Sequence, residues 1–213
     1  MELTLQLPVR FGKRGPEPPV IGNDRQQLVD LLHGKHYNEC VAGRVFSQAT
    51  TPLGLAIPIY TATAIGGGVP VWNPPNSGVN VELIAVNCAR ASGVTAFSAI
   101  GLMARKLDAI ATGQNVTALT EVAPVNGLFG AGNQTRTRSG VTATAAAGAA
   151  ADFIRSLFAI NPIIDTTAAD EAPKQIDFDG ALVFPPGTFF YLAGTVASVA
   201  LYATTVIWKE IPC

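Results

Sequence analysis

Charge is what this chain has least of. Asp, Glu, Lys and Arg make up 14% of its 213 residues, against about 25% in ordinary soluble domains. Fifteen acids and fourteen bases leave a net charge of −1, so no general electrostatic pull toward nucleic acid or an anionic membrane is expected. Histidine is almost missing, with two residues, His33 and His36. A Ser-His-Asp or Cys-His arrangement would have to use one of them, and neither lies near a nucleophile-elbow pattern. The three cysteines, Cys40, Cys88 and Cys213, are odd in number and irregularly spaced. They make no disulfide framework, and free thiols in a reducing compartment are expected. No run approaches the ~20 uninterrupted apolar residues of a membrane helix. The start, Met1-Glu2-Leu3-Thr4-Leu5, lacks the basic residues and continuous apolar core of a secretory signal.

Small and apolar residues fill the gap. The chain is 48% hydrophobic, with 21 glycines and 15 prolines among many Ala, Thr and Ser residues. A surface built from such weakly polar groups tends to be buried in an assembly.

Residues 1–36 read as an arm and 37–213 as one β domain. In the arm, Arg10, Lys13 and Arg14 stand among Pro8, Pro16, Pro18 and Pro19. Nothing there can bury a face of its own, so an extended segment that orders on a partner is expected. Asn23 or Asp24 is placed to cap a short helix carrying Leu28, Leu31 and Leu32, with Gly34 at its end.

From Val41 onward the texture is that of strands. Val45–Ser47, Gly54–Thr61, Val69–Trp72, Val79–Arg90, Thr95–Ala104, Ala118–Pro124 and Ser139–Ala147 read as extended, separated by Gly- and Pro-rich turns. Along Val79–Arg90, strict alternation puts Val79, Val81, Leu83, Ala85 and Asn87 on one face. The Ala- and Thr-rich stretch 142–158 fits either helix or strand, and strand is the reading taken. Asp165–Asp179 reads as a solvated acidic loop. At the end, Ala181–Phe184 and Phe189–Ala193 flank a Pro185-Pro186-Gly187 reversal, and Ser198–Lys209 has the composition of a central strand. Eight to ten short strands with turns at roughly ten-residue spacing predict an all-β fold, a β-sandwich or barrel.

Candidate chemistry is thin. His33, His36, Glu39 and Cys40 are the one cluster resembling a metal site, but no second Cys or His pair completes a tetrahedral shell. Gly66-Gly67-Gly68 has no Lys-Ser/Thr after it and reads as a turn, not a phosphate loop. Asp165, Asp170, Glu171, Asp177 and Asp179 match no calcium-loop spacing. Arg136 and Arg138 alternate with threonines beside Asn133 and Gln134, and read as a subunit or ligand contact or a charge-blunted sheet edge. Trp72 and Trp208 are expected in or near the core. Neither a catalytic residue nor a cofactor or metal is assigned.

The order of the parts carries a resemblance. It runs from Tyr37-Asn38-Glu39-Cys40-Val41-Ala42-Gly43-Arg44-Val45-Phe46-Ser47 through Val71-Trp72-Asn73-Pro74-Pro75-Asn76-Ser77-Gly78 and Val79-Asn80-Val81-Glu82-Leu83. It closes with Leu182-Val183-Phe184-Pro185-Pro186-Gly187 and Thr205-Val206-Ile207-Trp208-Lys209-Glu210-Ile211-Pro212. Over roughly 37–212 this resembles the jelly-roll capsid cement or decoration proteins of tailed bacteriophages. In that group a Trp-Asn-Pro…Ser-Gly turn leads into a strand and the chain ends Trp-Glu-Glu-(Ile/Val)-Pro. Lys209 departs from that ending, as does the appended Cys213. The resemblance implies a jelly-roll homotrimer on the outer surface of a virion head, made in the host cytoplasm. Its partner would be the major capsid protein, docked in part through the arm and Arg10, Lys13 and Arg14, with no direct nucleic-acid or membrane partner. The alternative on the same sandwich is a head-fibre or tail-associated module that binds host glycan or protein, with Tyr60, Trp72 and the loop Gly130–Arg138 as its contacts. A cupin-like or glycan-hydrolysing enzyme is the third, and cupin metal sites need more histidines than this chain has.

Overall fold

The computed structural model describes residues 34–61, 67–93, 98–106, 117–132, 134–144, 152–160, 173–196 and 199–213. The arm with Arg10, Lys13 and Arg14, and the helix expected before Gly34, lie outside the described residues. The chain divides into two compact units, Met1–Lys35 and His36–Cys213, and the second holds the β domain.

It begins with a five-residue helix, α1 (Tyr37–Val41). Then come β1 (Val45–Ala49), β2 (Leu55–Ala56), β3 (Val71–Asn73), β4 (Val79–Ser92), β5 (Ser98–Lys106), β6 (Thr117–Glu121), β7 (Val125–Asn126) and β8 (Arg138–Thr144). β9 (Asp152–Ile160), β10 (Lys174–Asp177), β11 (Val183–Phe184), β12 (Thr188–Gly194) and β13 (Leu201–Pro212) complete it. The strands form two antiparallel sheets. One has seven strands, in the order β10-β4-β13-β1-β7 with β11 beside β4 and β2 beside β13; the other has six, β6-β8-β3-β12-β5-β9. The fold is an all-β sandwich.

β13 is central, as its Val-, Thr- and aromatic-rich composition predicts. It pairs with β4 from Leu201↔Ser92 to Pro212↔Val79, and with β1 on its other side from Val45↔Lys209 to Ala49↔Thr205. Its residues alternate without a break. Tyr202, Thr204, Val206, Trp208 and Glu210 are buried, while Leu201, Ala203, Thr205, Ile207 and Lys209 are half-buried on the outer face. The inner set meets Phe46, Val81, Leu83, Val86 and Cys88 from its own sheet, and Ile100, Leu102, Phe190 and Leu192 from the facing one. Those side chains are the core between the sheets.

β4 breaks the strict alternation expected for it. The register shifts so that Ile207 faces Ala85 while Trp208 faces Leu83, leaving Ile84 as the extra residue of a β-bulge. The inward set is therefore Val79, Val81 and Leu83 before the bulge, then Val86 and Cys88 after it. Ala85 and Asn87 fall on the outer face. A bulge is a property of the pair of strands, so one strand's pattern could not show it.

The last two short strands also differ from the simplest reading. β11 pairs with β4, and β12 pairs with β3 and β5 in the other sheet. The Pro-Pro-Gly turn thus carries the chain from one sheet to the other and does not close a hairpin. Gly187 takes φ +85 there and gives its N–H to Asn73 O at 2.8 Å. Two further corrections concern the middle of the chain. The acidic stretch is not all loop, because Lys174–Asp177 forms β10 against Cys88–Ala85. Of Gly54–Thr61, only Leu55–Ala56 is a strand. Asp152–Ile160 is a strand, in line with the reading of 142–158 over its described part.

In the six-stranded sheet, β3, β12 and β5 bury apolar residues on both faces. Phe190 and Leu192 point into the core, while Trp72, Met103, Phe189 and Tyr191 on the opposite face are also buried. Burial pushes the Tyr191 phenol above its ordinary pKa.

Gly67 is among the glycines that close approach requires. Gly67, at φ +73, lies against β2 so tightly that a Cβ would fall 2.2 Å from Ala56 O and 2.9 Å from Leu55 Cβ. Gly67→Ala combines that clash with backbone strain. It is expected to destabilise by about 2–4 kcal/mol, read as a lower urea midpoint at unchanged slope.

Candidate functional site

One end of the sandwich gathers most of the distinctive sequence motifs. The Asn73–Gly78 turn, the Pro185–Gly187 turn, the end of β13 and the loop between β7 and β8 meet there and interlock through buried polar groups. Asn73 is fully buried, and its amide donates to Val79 O at 2.8 Å and to Phe184 O at 3.1 Å. It thereby fastens the end of β3, in one sheet, to β4 and β11 in the other. Ser77 Oγ sits 3.3 Å from Val79 O, and Cys213 N–H donates to Gly78 O. Asparagine works here because one short, rigid side chain offers two N–H donors in a fixed fork.

Glu210 is the second fastener. Its position shares the inward parity of Trp208, and the residue is buried. A carboxylate there needs donors, and the loop from β7 to β8 supplies them. The Thr135 hydroxyl and the Thr137 hydroxyl, at 2.9 Å, both donate to Oε1. The backbone N–H groups of Arg136 and Thr137 donate as well, at 3.0–3.1 Å. The adjacent Lys209 points outward and pairs with Glu82 at 2.9 Å, both side chains largely shielded.

The two arginines that stand out in the sequence lie in this region, and both are engaged within the chain. Arg136 Nη1 donates to Ser77 O at 3.2 Å while its backbone N–H serves Glu210. Arg138 pairs with Glu121, and its guanidinium lies 5.1 Å from the centre of the Trp72 ring. Trp72 is buried beneath it, so it offers no open face for a sugar to stack on. Tyr60 is exposed at the far end of β12, where its N–H donates to Gly194 O.

Beside the fastened end lies an apolar surface. α1 packs on the outer face of the seven-stranded sheet, with Cys40 against Val45, Ile84 and Ala85. Burial, with Glu39 beside it, pushes the Cys40 thiol above its ordinary pKa, which keeps it protonated and a poor nucleophile or metal ligand at neutral pH. Cys40, Cys88 and Cys213 are all free thiols. Among the described residues no group of three His, Cys, Asp or Glu side chains is placed to hold a metal ion; His33 lies outside them. Gly127 fits under α1 so closely that a Cβ on it would be 3.4 Å from Cys40 Sγ. Asn126 Nδ2 donates to Gly43 O at 3.0 Å and ties the loop to the helix. From there the chain protrudes through Leu128 and Phe129, with a turn closed by Ala131 N–H to Leu128 O at 3.0 Å. Phe129 is 94% exposed. Tyr37 and Val41, one helical turn apart on α1, and Val125 and Leu128 are also exposed.

Sequence alone singles out neither Glu210 nor Phe129. The signal for Glu210 is present, since an acid two residues after a buried tryptophan on a central strand must face inward. Phe129 carries none, because aromatic type predicts burial and only the fold shows that it protrudes.

No protein family, curated protein or solved structure matches the chain. Among the described residues no helix is long and apolar enough to cross a membrane.

Proposed function

We propose that this chain is a virion structural protein, a capsid cement or decoration protein of the jelly-roll type. In this reading it forms homotrimers on the outer surface of a tailed-phage head and stabilises the major capsid shell through its β-core and N-terminal arm. The observation that supports it most is the interlocked end. Three short motifs behind the resemblance, around Asn73, Pro185–Gly187 and Glu210, are far apart in sequence and share one hydrogen-bonded assembly. They behave as one structural signature, which gives the resemblance more weight than three separate matches would carry.

The role is structural, not catalytic, and needs no cofactor. A protein that binds the assembled shell but not its free subunits shifts the assembly equilibrium by mass action. Many copies on one lattice add avidity without strong single contacts. Arg10, Lys13 and Arg14 would pair with acidic capsid surface. The alternative, a head-fibre or tail module for host glycan or protein, draws on exposed Tyr60. Buried Trp72 weakens it.

The test is co-sedimentation with heads assembled without this protein, comparing the full chain with one lacking residues 1–34. The full chain is expected to pellet with heads, and the truncated chain to keep its oligomeric mass but stay in the supernatant. A full chain that never pellets with heads overturns the reading.

A further inference from the structure

The six-stranded sheet ends on an open edge. Among the described residues β9 pairs with β5 alone, and Asp152, Phe153, Ile154, Arg155 and Ser156 are all exposed. Toward its C-terminal end β9 is already engaged, since Lys174 on β10 donates to Ala159 O at 2.6 Å with its ammonium 5.5 Å from the centre of the Phe158 ring. The open stretch carries two large apolar side chains, Phe153 at 47% and Ile154 at 44% exposure. Phe153 stands opposite Met103 and lies over Gly101, where a Cβ would fall 2.1 Å from its ring. It therefore belongs to the outer face on which Met103 and Tyr191 are buried. Unpaired N–H and C=O groups along such an edge select an extended backbone as partner.

The sequence supplies one. From Met1 to Leu7 apolar and polar residues alternate strictly, Met1, Leu3, Leu5 and Leu7 against Glu2, Thr4 and Gln6, and the parity continues through Val9 and Phe11 beyond Pro8. That is the period of a strand with one face to bury. No other stretch outside the described residues alternates over seven positions. A strand of this length needs a sheet to join. Set beside β9, its leucines would extend the face that carries Phe153, as cross-strand pairs that stabilise a sheet do.

Spacing and symmetry point to the segment of another copy. Residues 8–19 include Pro8, Pro16, Pro18 and Pro19, the composition of a semi-rigid extended spacer, roughly 35 Å at ~3.1 Å per residue. That is close to the width of a domain of this size, about 40 Å, which favours reaching a neighbour over folding back. A segment given to the next copy, while the edge receives one from the previous copy, is a heterologous contact, and three of them close a ring. The register of β9 on β5 slips at Ile154 and Leu157, and such bulges discourage indiscriminate edge pairing. A segment held nearby within a trimer overcomes that through its effective concentration.

We infer that residues 1–7 of one copy add as a strand to the β9 edge, Asp152–Ser156, of the next. The inference deepens the proposed function and rests on its homotrimer, not on its capsid partner. The sandwiches hold the trimer together and the exchanged strand staples it, so losing the segment leaves the oligomeric mass unchanged.

The test compares the full chain, a chain lacking residues 1–7, and Leu5→Pro, which removes an N–H from the segment at a position outside the β domain. Hydrogen exchange is read on peptides covering 152–156, sedimentation velocity gives the mass, and circular dichroism checks the fold. The amides of 152–156 are expected to exchange at least about tenfold more slowly in the full chain than in either variant, with all three folded and of equal oligomeric mass. To identify the donor, a Leu3→Cys or Leu5→Cys chain is co-expressed with a Ser156→Cys chain and oxidised, and the linked peptides are mapped by mass spectrometry. A disulfide joining the segment of one chain to position 156 of the other is expected. Equal exchange in all three proteins overturns the inference. So does a link that forms only within a chain carrying both Leu5→Cys and Ser156→Cys, or protection that appears only on heads. A trimer that binds heads with this edge open overturns the inference and leaves the capsid reading standing. A protected, cross-linked edge in a chain that never pellets with heads upholds the inference and overturns the capsid reading alone.

Discussion

Trp208→Ala is expected to destabilise the sandwich by about 3–5 kcal/mol, the range for deleting a fully buried large aromatic. Trp208 has no exposed surface and is the largest of the fully buried side chains. It lies on β13, paired with Leu83 on one side and Phe46 on the other, with its ring centre 6.3 Å from that of Phe46. The cavity left at the junction of three strands cannot collapse easily, because the central strand is held by ladders on both sides. In a domain of this size the loss corresponds to a fall in melting temperature of roughly 10 °C. Trp208→Phe should cost much less than Trp208→Ala. The indole Nε1 is buried without a hydrogen-bond partner among the described residues, so phenylalanine keeps much of the packing and removes an unsatisfied donor. Urea unfolding of the three proteins decides the matter. A Trp208→Ala variant within about 1 kcal/mol of wild type would mean the core is not organised around this residue.

What the sequence shows and what it hides divide along one physical line. Composition and turn chemistry are local, so β13, β12, the Asn73–Gly78 turn and the Pro185–Gly187 turn are legible. Features fixed by a neighbour are not. The bulge at Ile84 exists only in the register between β4 and β13. Lys174-Gln175-Ile176-Asp177 has little strand propensity and becomes β10 because β4 offers it an edge. α1 spans five residues with no side-chain cap at its start. Too short to stand alone, it is held by Cys40 against the sheet. The Pro-Pro-Gly turn is recognisable as a turn, but which sheet each flanking strand joins depends on β4 and β5.

The same division runs through the candidate site. Asn73 and Glu210 lie inside the motifs that carry the resemblance, yet the residues whose type suggests chemistry are the arginines. Sequence alone reads Arg136 and Arg138 as a subunit or ligand contact or as a charge-blunted sheet edge. The structure engages Arg136 with Ser77 and Glu210, and Arg138 with Glu121 and Trp72. An arginine's type says that it will find an anion or a ring; its fold neighbours decide whose.

Glu210→Ala should be the most informative change outside the core. It removes the acceptor for two threonine hydroxyls and for the backbone N–H groups of Arg136 and Thr137. Hydrogen bonds to an ionised group are each worth more than neutral ones, and a buried donor left unsatisfied costs further. Part of the loss is recovered locally, since the Thr135 and Thr137 hydroxyls already lie 2.7 Å apart and Thr137 N–H also reaches Thr135 Oγ1 at 3.1 Å. The net expectation is about 2–4 kcal/mol for Glu210→Ala. Glu210→Gln should fall between it and wild type. The amide keeps one oxygen for the threonines, but its NH2 group would then face the Arg136 N–H now bound by Oε2. Because Glu210 fastens the loop before β8, Glu210→Ala should also speed amide exchange at residues 134–137, read by hydrogen exchange on the same protein. Unchanged exchange and stability would show that the carboxylate does not hold the loop at all.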